Sequence, residues 1–222
     1  TVPAAMEDGW TSDPYEARIS GDKMYGRGAC DMKGPLAATL CAAARFKAAD
    51  LKAPLYLMVT GDEERHAVGA KQLVRHSRLF KEASAGYGVI CEPTMLRVVH
   101  AHKGSLSAWV TSKGKPAHTS TTKGVNANLR MIPFLNDALK IRKMVLTSKR
   151  YYNPEFDPPY SELNISVNDH NVAINIYPAR SECTLLYRPM PGVDTEPVVA
   201  RITDSARRHG LKCRIRRGGV PL

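Results

Sequence analysis

Apolar and polar positions follow two different patterns along the chain, and the pattern changes near residue 100. Before that point, two short apolar runs at residues 55–60 and 86–91 have the length and composition of buried β-strands. Each run follows a segment that predicts a helix, at residues 34–49 and 66–79. Because helices alternate with buried strands here, the pattern is typical of an α/β unit with a mainly parallel sheet.

After residue 100, alternation typical of half-buried strands is separated by amphipathic helices. The predicted elements are a strand at 105–111, a helix at 124–147, strands at 163–167 and 182–188, a helix at 194–209 and a strand at 211–216. This β-α-β-β-α-β order predicts a ferredoxin-like domain. Pro133 should kink or restart the first helix, because an interior proline costs about 3 kcal/mol.

Apolar stripes indicate which side of each of these two helices should face the core. The stripe of the first helix is formed by Val125, Leu129, Ile132, Leu135 and Leu139. That of the second is formed by Val198, Val199, Ile202 and Ala206.

A net charge of +11 over 222 residues is the feature of the composition that suggests a particular partner. A chain this basic can bind nucleic acid or an acidic membrane. Its Lys and Arg residues cluster at 140–150 and at 201–217, where the only nearby acid is Asp204. Aromatic residues make up only 7% and do not interleave these clusters, which favours solvated faces. We therefore expect neither a nucleic-acid nor a membrane partner.

Cysteine usage bears on the compartment. The five cysteines are widely spaced, odd in number and form no Cys-x-x-Cys motif. This argues against a disulfide scaffold or a thiolate zinc site and favours a reducing, cytoplasmic location. The sequence also has no run of 18 apolar residues that would predict a transmembrane helix.

Acidic residues stand at the ends of the predicted elements of the first part. Asp31 lies just before a helix, Glu63 and Glu64 follow the first predicted strand, and Glu92 follows the second. Sites in open α/β sheets form outside the carboxyl ends of the strands, so these side chains can converge on one crevice. Crowded carboxylates repel one another and favour a bound cation. The alternative is that each acid caps a helix or closes a turn, and spacing alone leaves both open.

Five motifs, in order, resemble those of the co-catalytic zinc amidohydrolases. They are YGRGACDMKG, VTGDEE, CEPT, HKG, and a histidine followed by GVNA. That family contains acetylornithine deacetylase, succinyl-diaminopimelate desuccinylase, aminoacylase and carboxypeptidase G. HAHKG at 100–104 and GVNAN at 124–128 look closer to acetylornithine deacetylase than to the desuccinylase. The resemblance implies part of a zinc catalytic domain at 1–101, an inserted lid and dimerisation domain at 102–216, and the start of a return to the catalytic domain at 217–222.

The resemblance implies two zinc ions, with cobalt or manganese as alternatives. Asp31 looks like the carboxylate that bridges the ions, and Glu64 and Glu92 look like terminal ligands of one ion each. Glu63 looks like the general base that takes a proton from the shared water and later gives it to the leaving amine. The Asp31–Met32 peptide bond is expected to be cis.

The lid residues also acquire roles through the resemblance. His118 looks like the histidine that reaches the partner subunit's active site in a homodimer, where it can donate a hydrogen bond to the developing oxyanion. Asn175 and Arg188 look like the residues that hold the substrate's oxyanion or carboxylate. An arginine offers a carboxylate two parallel hydrogen bonds, which a lysine cannot match.

Two family features have no counterpart in this sequence. The family places a His-x-Asp pair before a Val-Pro and a further histidine after the lid, and both histidines bind zinc. Here the chain starts at Thr1-Val2-Pro3, and none of the seven histidines stands at either place. We therefore expect a fragment with two protein ligands per zinc, fewer than the three usual at catalytic sites, with weak metal binding and little or no turnover.

The leading hypothesis is metal-dependent hydrolysis of an amide bond in an N-acyl amino acid. A dipeptidase, carboxypeptidase or desuccinylase of the same family is the alternative within this class. A homologue that dimerises without catalysis is the alternative from another class, and close approach of Asp31, Glu64 and Glu92 would favour an enzyme over it.

Overall fold

The computed structural model describes Ala4, residues 9–64, 66–170 and 173–219, and Pro221. The chain divides into two compact units between Val98 and Val99. This division lies close to the change of pattern near residue 100. The roles expected for residues 1–101, 102–216 and 217–222 remain predictions.

The first unit is built from short elements. Strands β1 (Arg18–Ser20) and β2 (Lys23–Tyr25) pair antiparallel. Three α-helices follow among the described residues, α1 (Gly34–Ala43), α2 (Val68–His76) and α3 (Arg78–Ala83), and none of them contains a buried residue.

The mainly parallel sheet predicted for this unit is wrong for the described part of the chain. Residues 55–60 and 86–91 pair with no other strand there, and both sheets are antiparallel. Their apolar side chains are exposed, by 63% at Val59 and 84% at Ile90. An apolar run becomes a buried strand only when neighbouring strands bond its backbone and other elements cover its faces, and no described strand lies beside either run.

The helices of the first unit also differ from their predicted bounds. The helix expected at 34–49 ends at Ala43. The helix expected at 66–79 is divided at Ser77, whose Oγ accepts a hydrogen bond from the Phe80 amide at 3.1 Å. A serine at an N-cap satisfies an amide that the helix leaves without a partner, so a new helix begins there.

The second unit is a four-stranded antiparallel sheet in the order β4-β5-β3-β6. Its elements follow the predicted β-α-β-β-α-β order along the chain. They are β3 (Leu106–Lys113), α4 (Ala127–Thr147), β4 (Glu162–Asn168), β5 (Arg180–Arg188), α5 (Glu196–Arg208) and β6 (Lys212–Arg217).

The hydrophobic core lies between α4, α5 and one face of this sheet. In β3 the alternate residues Leu106, Ala108 and Val110 are buried, and Val110 lies opposite Cys183 of β5 and Cys213 of β6. The predicted stripe of α5 is confirmed, because Val198, Val199, Ile202 and Ala206 are all buried.

The predicted stripe of α4 is wrong for three of its members, although Leu135 does pack against the core. Leu129, Ile132 and Leu139 are 64%, 46% and 58% exposed, whereas the core face is formed by Met131, Phe134, Ala138, Ile141 and Val145. Both stripes are apolar with helical spacing, so periodicity alone could not choose between them. The helix therefore leaves an apolar stripe on its outer side.

Pro133 does not divide α4, which runs continuously from Ala127 to Thr147. The proline lies at an exposed position of the helix. Its missing amide therefore falls on the solvent side, where water can bond the carbonyl left without a partner. The predicted restart at Pro133 is wrong for this reason.

Several residues of the two basic clusters pair with acids of other elements. The pairs are Arg142–Glu162, Arg150–Asp194, Arg208–Asp137 and Arg217–Glu196. The cluster at 201–217 therefore does not face Asp204 alone, because folding brings acids from α4 and the start of α5 to it.

A polar cluster centred on Asp137 joins α4 to α5. The Asp137 carboxylate accepts hydrogen bonds from Ser205 Oγ at 2.8 Å, Arg208 at 3.0 Å and His209 at 3.2 Å, and Lys140 at 3.2 Å. The Ser205 hydroxyl, followed by the other three partners, holds the pKa of Asp137 well below its usual range against the opposing effect of burial.

Asp137→Asn is expected to lower the free energy of unfolding at pH 7 by about 1 kcal/mol, since several hydrogen bonds to a charged acceptor are weakened. A carboxyl with a depressed pKa stabilises above its unfolded pKa of about 3.9, and this contribution is lost as pH falls through the folded value. Urea unfolding at several pH values should show the difference between the two proteins shrinking below about pH 4. Asp204→Asn, at an exposed helical pair with Arg207, is the control and should change stability little at any pH.

Candidate functional site

Asp31 lies in a short turn, Ala29–Lys33, between β2 and α1. Gly28 precedes the turn with φ 83°, a conformation that glycine adopts without steric cost, and its carbonyl accepts from the Lys33 amide at 2.9 Å. At Gly34 a Cβ would lie 2.7 Å from the Ala29 carbonyl oxygen. These glycines explain the motif around Asp31. The Asp31–Met32 peptide bond is cis, as expected.

Glu63 and Glu64 lie in a loop that Asp62 closes. The Asp62 carbonyl accepts from the Ala67 amide at 2.7 Å, and its carboxylate reaches the Val68 amide at 3.4 Å at the start of α2. Asp62 therefore closes the turn that precedes α2. Glu63 and Glu64 are exposed and remain available for a ligand.

The acids of the first unit are close enough to act on one another. Partial burial, followed by the charges of Asp31, Glu63 and Glu64, raises the pKa of Glu92. When neighbouring negative charges raise the pKa of a carboxyl group, the carboxylates lie near one another without a compensating cation. Asp31, Glu63 and Glu64 therefore lie near enough to Glu92 for their charges to act on its carboxyl group.

The same acids do not form a ready coordination site. In the part of the chain that the structure describes, no group of three or more His, Cys, Asp or Glu residues is arranged to hold a metal ion. The donor types fit a divalent metal, since Asp and Glu oxygens bind zinc. The charges of three acids therefore act on Glu92, but the four side chains are not positioned to bind one metal ion together.

His118 and Asn175 are brought together in the second unit by two paired segments that follow β3 and precede β5. The Thr119 amide donates to the Asn175 carbonyl at 2.9 Å, and the Tyr177 amide donates to the Ala117 carbonyl at 2.9 Å. His118 itself pairs with Ile176. His118, predicted to be catalytic, and Asn175, predicted to bind substrate, therefore lie on neighbouring extended segments.

The hydrogen bonds of the His118 ring select a tautomer. Its Nδ1 accepts from the Ser120 amide at 3.3 Å and lies 2.7 Å from Ser120 Oγ. A backbone amide can only donate, so in the neutral ring Nδ1 is the acceptor and Nε2 carries the proton. His118 can then donate a hydrogen bond from Nε2, as stabilising an oxyanion requires.

Arg188 does not join His118 and Asn175. It is exposed at the end of β5, opposite Glu162 of β4, whereas the segments carrying His118 and Asn175 lie beside Arg180 at the start of β5. Eight residues of strand separate the two ends by about 26 Å. Within one copy of this unit, the predicted lid residues therefore form two separate sites.

Two glycines allow close packing around His118, and the sequence analysis did not single them out. A Cβ at Gly124 would lie 2.1 Å from Tyr177 Cδ2, and one at Gly114 would lie 2.3 Å from the Val125 carbonyl oxygen. Both residues allow the segment that carries His118 to pack against residues 175–179. The glycine of the GVNA motif could have indicated this close packing, because a glycine in such a motif often marks a close backbone approach.

Comparison with known proteins identifies the family. A model of Peptidase family M20/M25/M40 matches residues 1–221. The chain belongs to this family. This confirms the resemblance inferred from the motifs.

Members of the peptidase M20 family with similar sequences include two bacterial acetylornithine deacetylases. The protein of Yersinia pseudotuberculosis serotype O:1b (strain IP 31758) is 33% identical over 206 residues, which are 92% of this chain and 51% of that protein. The protein of Pectobacterium carotovorum subsp. carotovorum (strain PC1) is 34% identical over 195 residues, 87% of this chain and 49% of that protein. The chain therefore spans about half the length of the curated relatives it matches.

Solved structures support the fold. Human carnosine dipeptidase 1 has a TM-score of 0.63 at 19% identity, and the match covers 99% of this chain and 60% of that one. The di-peptidase Dug1p of Saccharomyces cerevisiae has a TM-score of 0.62 at 21% identity and covers 99% and 59%. This M20-family chain thus shares a mixed α/β fold with them. Among the helices described, none has the length and apolar content needed to span a bilayer.

Proposed function

We propose that this chain carries part of the active site for metal-dependent hydrolysis of an amide bond in an N-acyl amino acid, as in acetylornithine deacetylase. The observation that carries the proposal is that Asp31, Glu63 and Glu64 lie near Glu92, where burial and then their negative charges raise the pKa of Glu92. Such crowding is unfavourable without a cation and is common where catalysis needs shifted protonation. Acetylornithine deacetylases that are 33–34% identical over most of this chain support the choice of substrate class.

Asp31, Glu64 and Glu92 would hold the metal, with Asp31 shared between two zinc ions, or cobalt or manganese in their place. When bound, the ions would supply a water molecule that loses its proton near neutral pH. Glu63 directly precedes Glu64 in the sequence, and its charge acts on Glu92. It would accept the water's proton and give a proton to the leaving amine.

His118, Asn175 and Arg188 would hold the substrate. With its proton on Nε2, His118 would donate to the oxygen that gains negative charge, and Asn175 on the paired segment would do the same with its side-chain amide. Arg188 would bind a substrate carboxylate through two parallel hydrogen bonds.

A homodimer accounts for the distance between these two groups. His118, with Asn175 beside it, would serve the active site of the partner subunit, and Arg188 would serve a different active site of the dimer. The outer stripe of α4, formed by Leu129, Ile132 and Leu139, supports dimerisation because exposed apolar side chains at helical spacing favour burial against another chain. The proposed partners are thus a small N-acyl amino acid or peptide and a second copy of this chain.

A non-catalytic dimerising homologue is the second candidate. It is favoured by the absence, among the described residues, of three or more ligand-type side chains arranged to hold a metal. Under this alternative the acids would only close turns and cap helices, as Asp62 does.

Zinc affinity separates the two candidates. The 222-residue protein is expected to bind zinc measurably but weakly, far below the roughly 10–16 kcal/mol of structural zinc sites, because three carboxylates give each ion only two protein ligands. Turnover of N-acetyl-L-ornithine should be correspondingly slow. Competition with a fluorescent chelator should show the affinity falling in Asp31→Asn and Glu92→Gln and unchanged in Asp13→Asn. Tight, stoichiometric zinc binding with rapid turnover would refute the expected weak binding. Equal zinc affinity in the unmodified protein and the three variants would favour the non-catalytic candidate.

A further inference from the structure

The HKG motif has no role in the proposed chemistry, yet its lysine is held unusually well. Lys103 Nζ donates to the Pro158 carbonyl at 2.8 Å and to the Tyr160 carbonyl at 2.9 Å. The side chain is half-buried, and burial lowers the pKa of Lys103 while Glu162 and Asp157 oppose the shift. A lysine normally extends its ammonium into water, so two carbonyl partners 55 and 57 residues away indicate a specific attachment.

The glycine of the same motif is attached to the end of β5. The Gly104 amide donates to the Pro189 carbonyl at 2.8 Å. A Cβ at Gly104 would lie 3.0 Å from Pro189 Cγ and 2.7 Å from Pro221 Cδ, so only glycine fits without displacement. The residue directly after Arg188 is therefore held by this motif.

Residues 158–160, which Lys103 holds, are also connected to the backbone that follows Arg188. This segment continues into Ser161, a buried residue whose Oγ accepts from the Met190 amide at 3.2 Å. The next residue, Glu162, is the register partner of Arg188. The backbone that follows Arg188 is thus bonded at Pro189 by Gly104 and at Met190 by the segment fixed through Lys103.

We propose that Lys103 is a positioning residue that fixes the end of β5 and thereby sets the selectivity of Arg188 for a substrate carboxylate. The proposal rests on the proposed role of Arg188. Two parallel hydrogen bonds between a guanidinium and a carboxylate require a defined approach, so a displaced strand end weakens binding of a carboxylate more than binding of a neutral amide.

The test compares two probes on the 222-residue protein labelled with ¹⁵N-arginine. N-acetyl-L-ornithine carries the carboxylate, and the corresponding α-carboxamide does not. Titrations followed at the Nε–Hε signal of Arg188, assigned with Arg188→Lys, yield the ratio of the two affinities. In Lys103→Met this preference for the carboxylate is expected to fall about tenfold, the size of one lost charge-assisted hydrogen bond.

Matched variants define the interpretation. Lys103→Arg should keep most of the preference, because a guanidinium can still donate to both carbonyls. Lys143→Met, at an exposed position of α4, should leave it unchanged. An unchanged affinity ratio in Lys103→Met overturns the proposal. Equal weakening of both probes gives the same unchanged ratio, and it is what a purely structural role predicts.

Gly104→Ala supplies an independent variant if Lys103→Met does not fold. Its Cβ would push against Pro189 while leaving Lys103 intact, so the carboxylate preference should fall here too. Retention of the preference in this variant also counts against the proposal. If the unmodified protein binds both probes equally, or Arg188→Lys keeps the preference, the carboxylate role of Arg188 has failed. That outcome is distinct from a failure confined to Lys103.

Discussion

Glu63→Gln is expected to lower the rate of amide hydrolysis by about 10²–10⁴-fold, the range that a positioned general base contributes. The glutamine keeps the size of the side chain but cannot accept the water's proton. Zinc affinity should change little, because the proposed ligands are Asp31, Glu64 and Glu92. A variant that loses rate and retains metal would therefore separate the base from the ligands.

The measurement is amine release from N-acetyl-L-ornithine with added zinc and a high protein concentration, so that slow turnover exceeds the uncatalysed background. Glu16→Gln is the control, since Glu16 is an exposed loop residue. It should retain the full rate. Hydrolysis that is equally fast in Glu63→Gln would remove Glu63 from the mechanism.

Gly114→Ala is expected to destabilise the second unit by about 3 kcal/mol, at the upper end of overpacking penalties. The new Cβ would lie 2.3 Å from the Val125 carbonyl oxygen and 2.5 Å from that of Pro178. Both neighbours are backbone atoms that cannot rotate away. The amide of Gly114 also donates to Ala179 at 2.8 Å, so moving the segment would break this hydrogen bond.

Urea unfolding monitored at Trp109, which lies in β3, would measure this loss. Gly219→Ala is the matched control, because a Cβ there meets nothing within 4 Å, and it should change the free energy of unfolding by less than about 0.5 kcal/mol. Because residues 114–125 carry His118, Gly114→Ala should also alter the His118 ring signals in NMR spectra. Native stability in Gly114→Ala would show that the segment can shift at little cost.

A structural feature could be predicted from the sequence where a local pattern decides it, and could not where distant contacts decide it. The order of elements after residue 100 was predictable, because alternation and helical spacing are local properties. The core face of α4 was not. Met131 and Phe134 lie on one apolar stripe and Leu129 and Ile132 on another, and only the sheet beneath determines which is buried.

The strands expected at 55–60 and 86–91 mark the limit of the same reasoning in the first unit. Their apolar composition is that of buried parallel strands, but such a strand forms only when a neighbouring strand bonds its backbone and other elements cover its faces. The described part of the chain offers no such partners, and Val59 and Ile90 are exposed.

The sequence by itself determined the family, since five ordered motifs identified it, and it named the acids whose crowding raises the pKa of Glu92. It could do so because residue types and their order are written in the chain. Only the tertiary structure decided that His118 and Asn175 share one end of the sheet while Arg188 stands at the other. It also decided that Lys103 holds residues 158–160. Strand register and contacts across more than 50 residues set these relations, and no local pattern encodes either one.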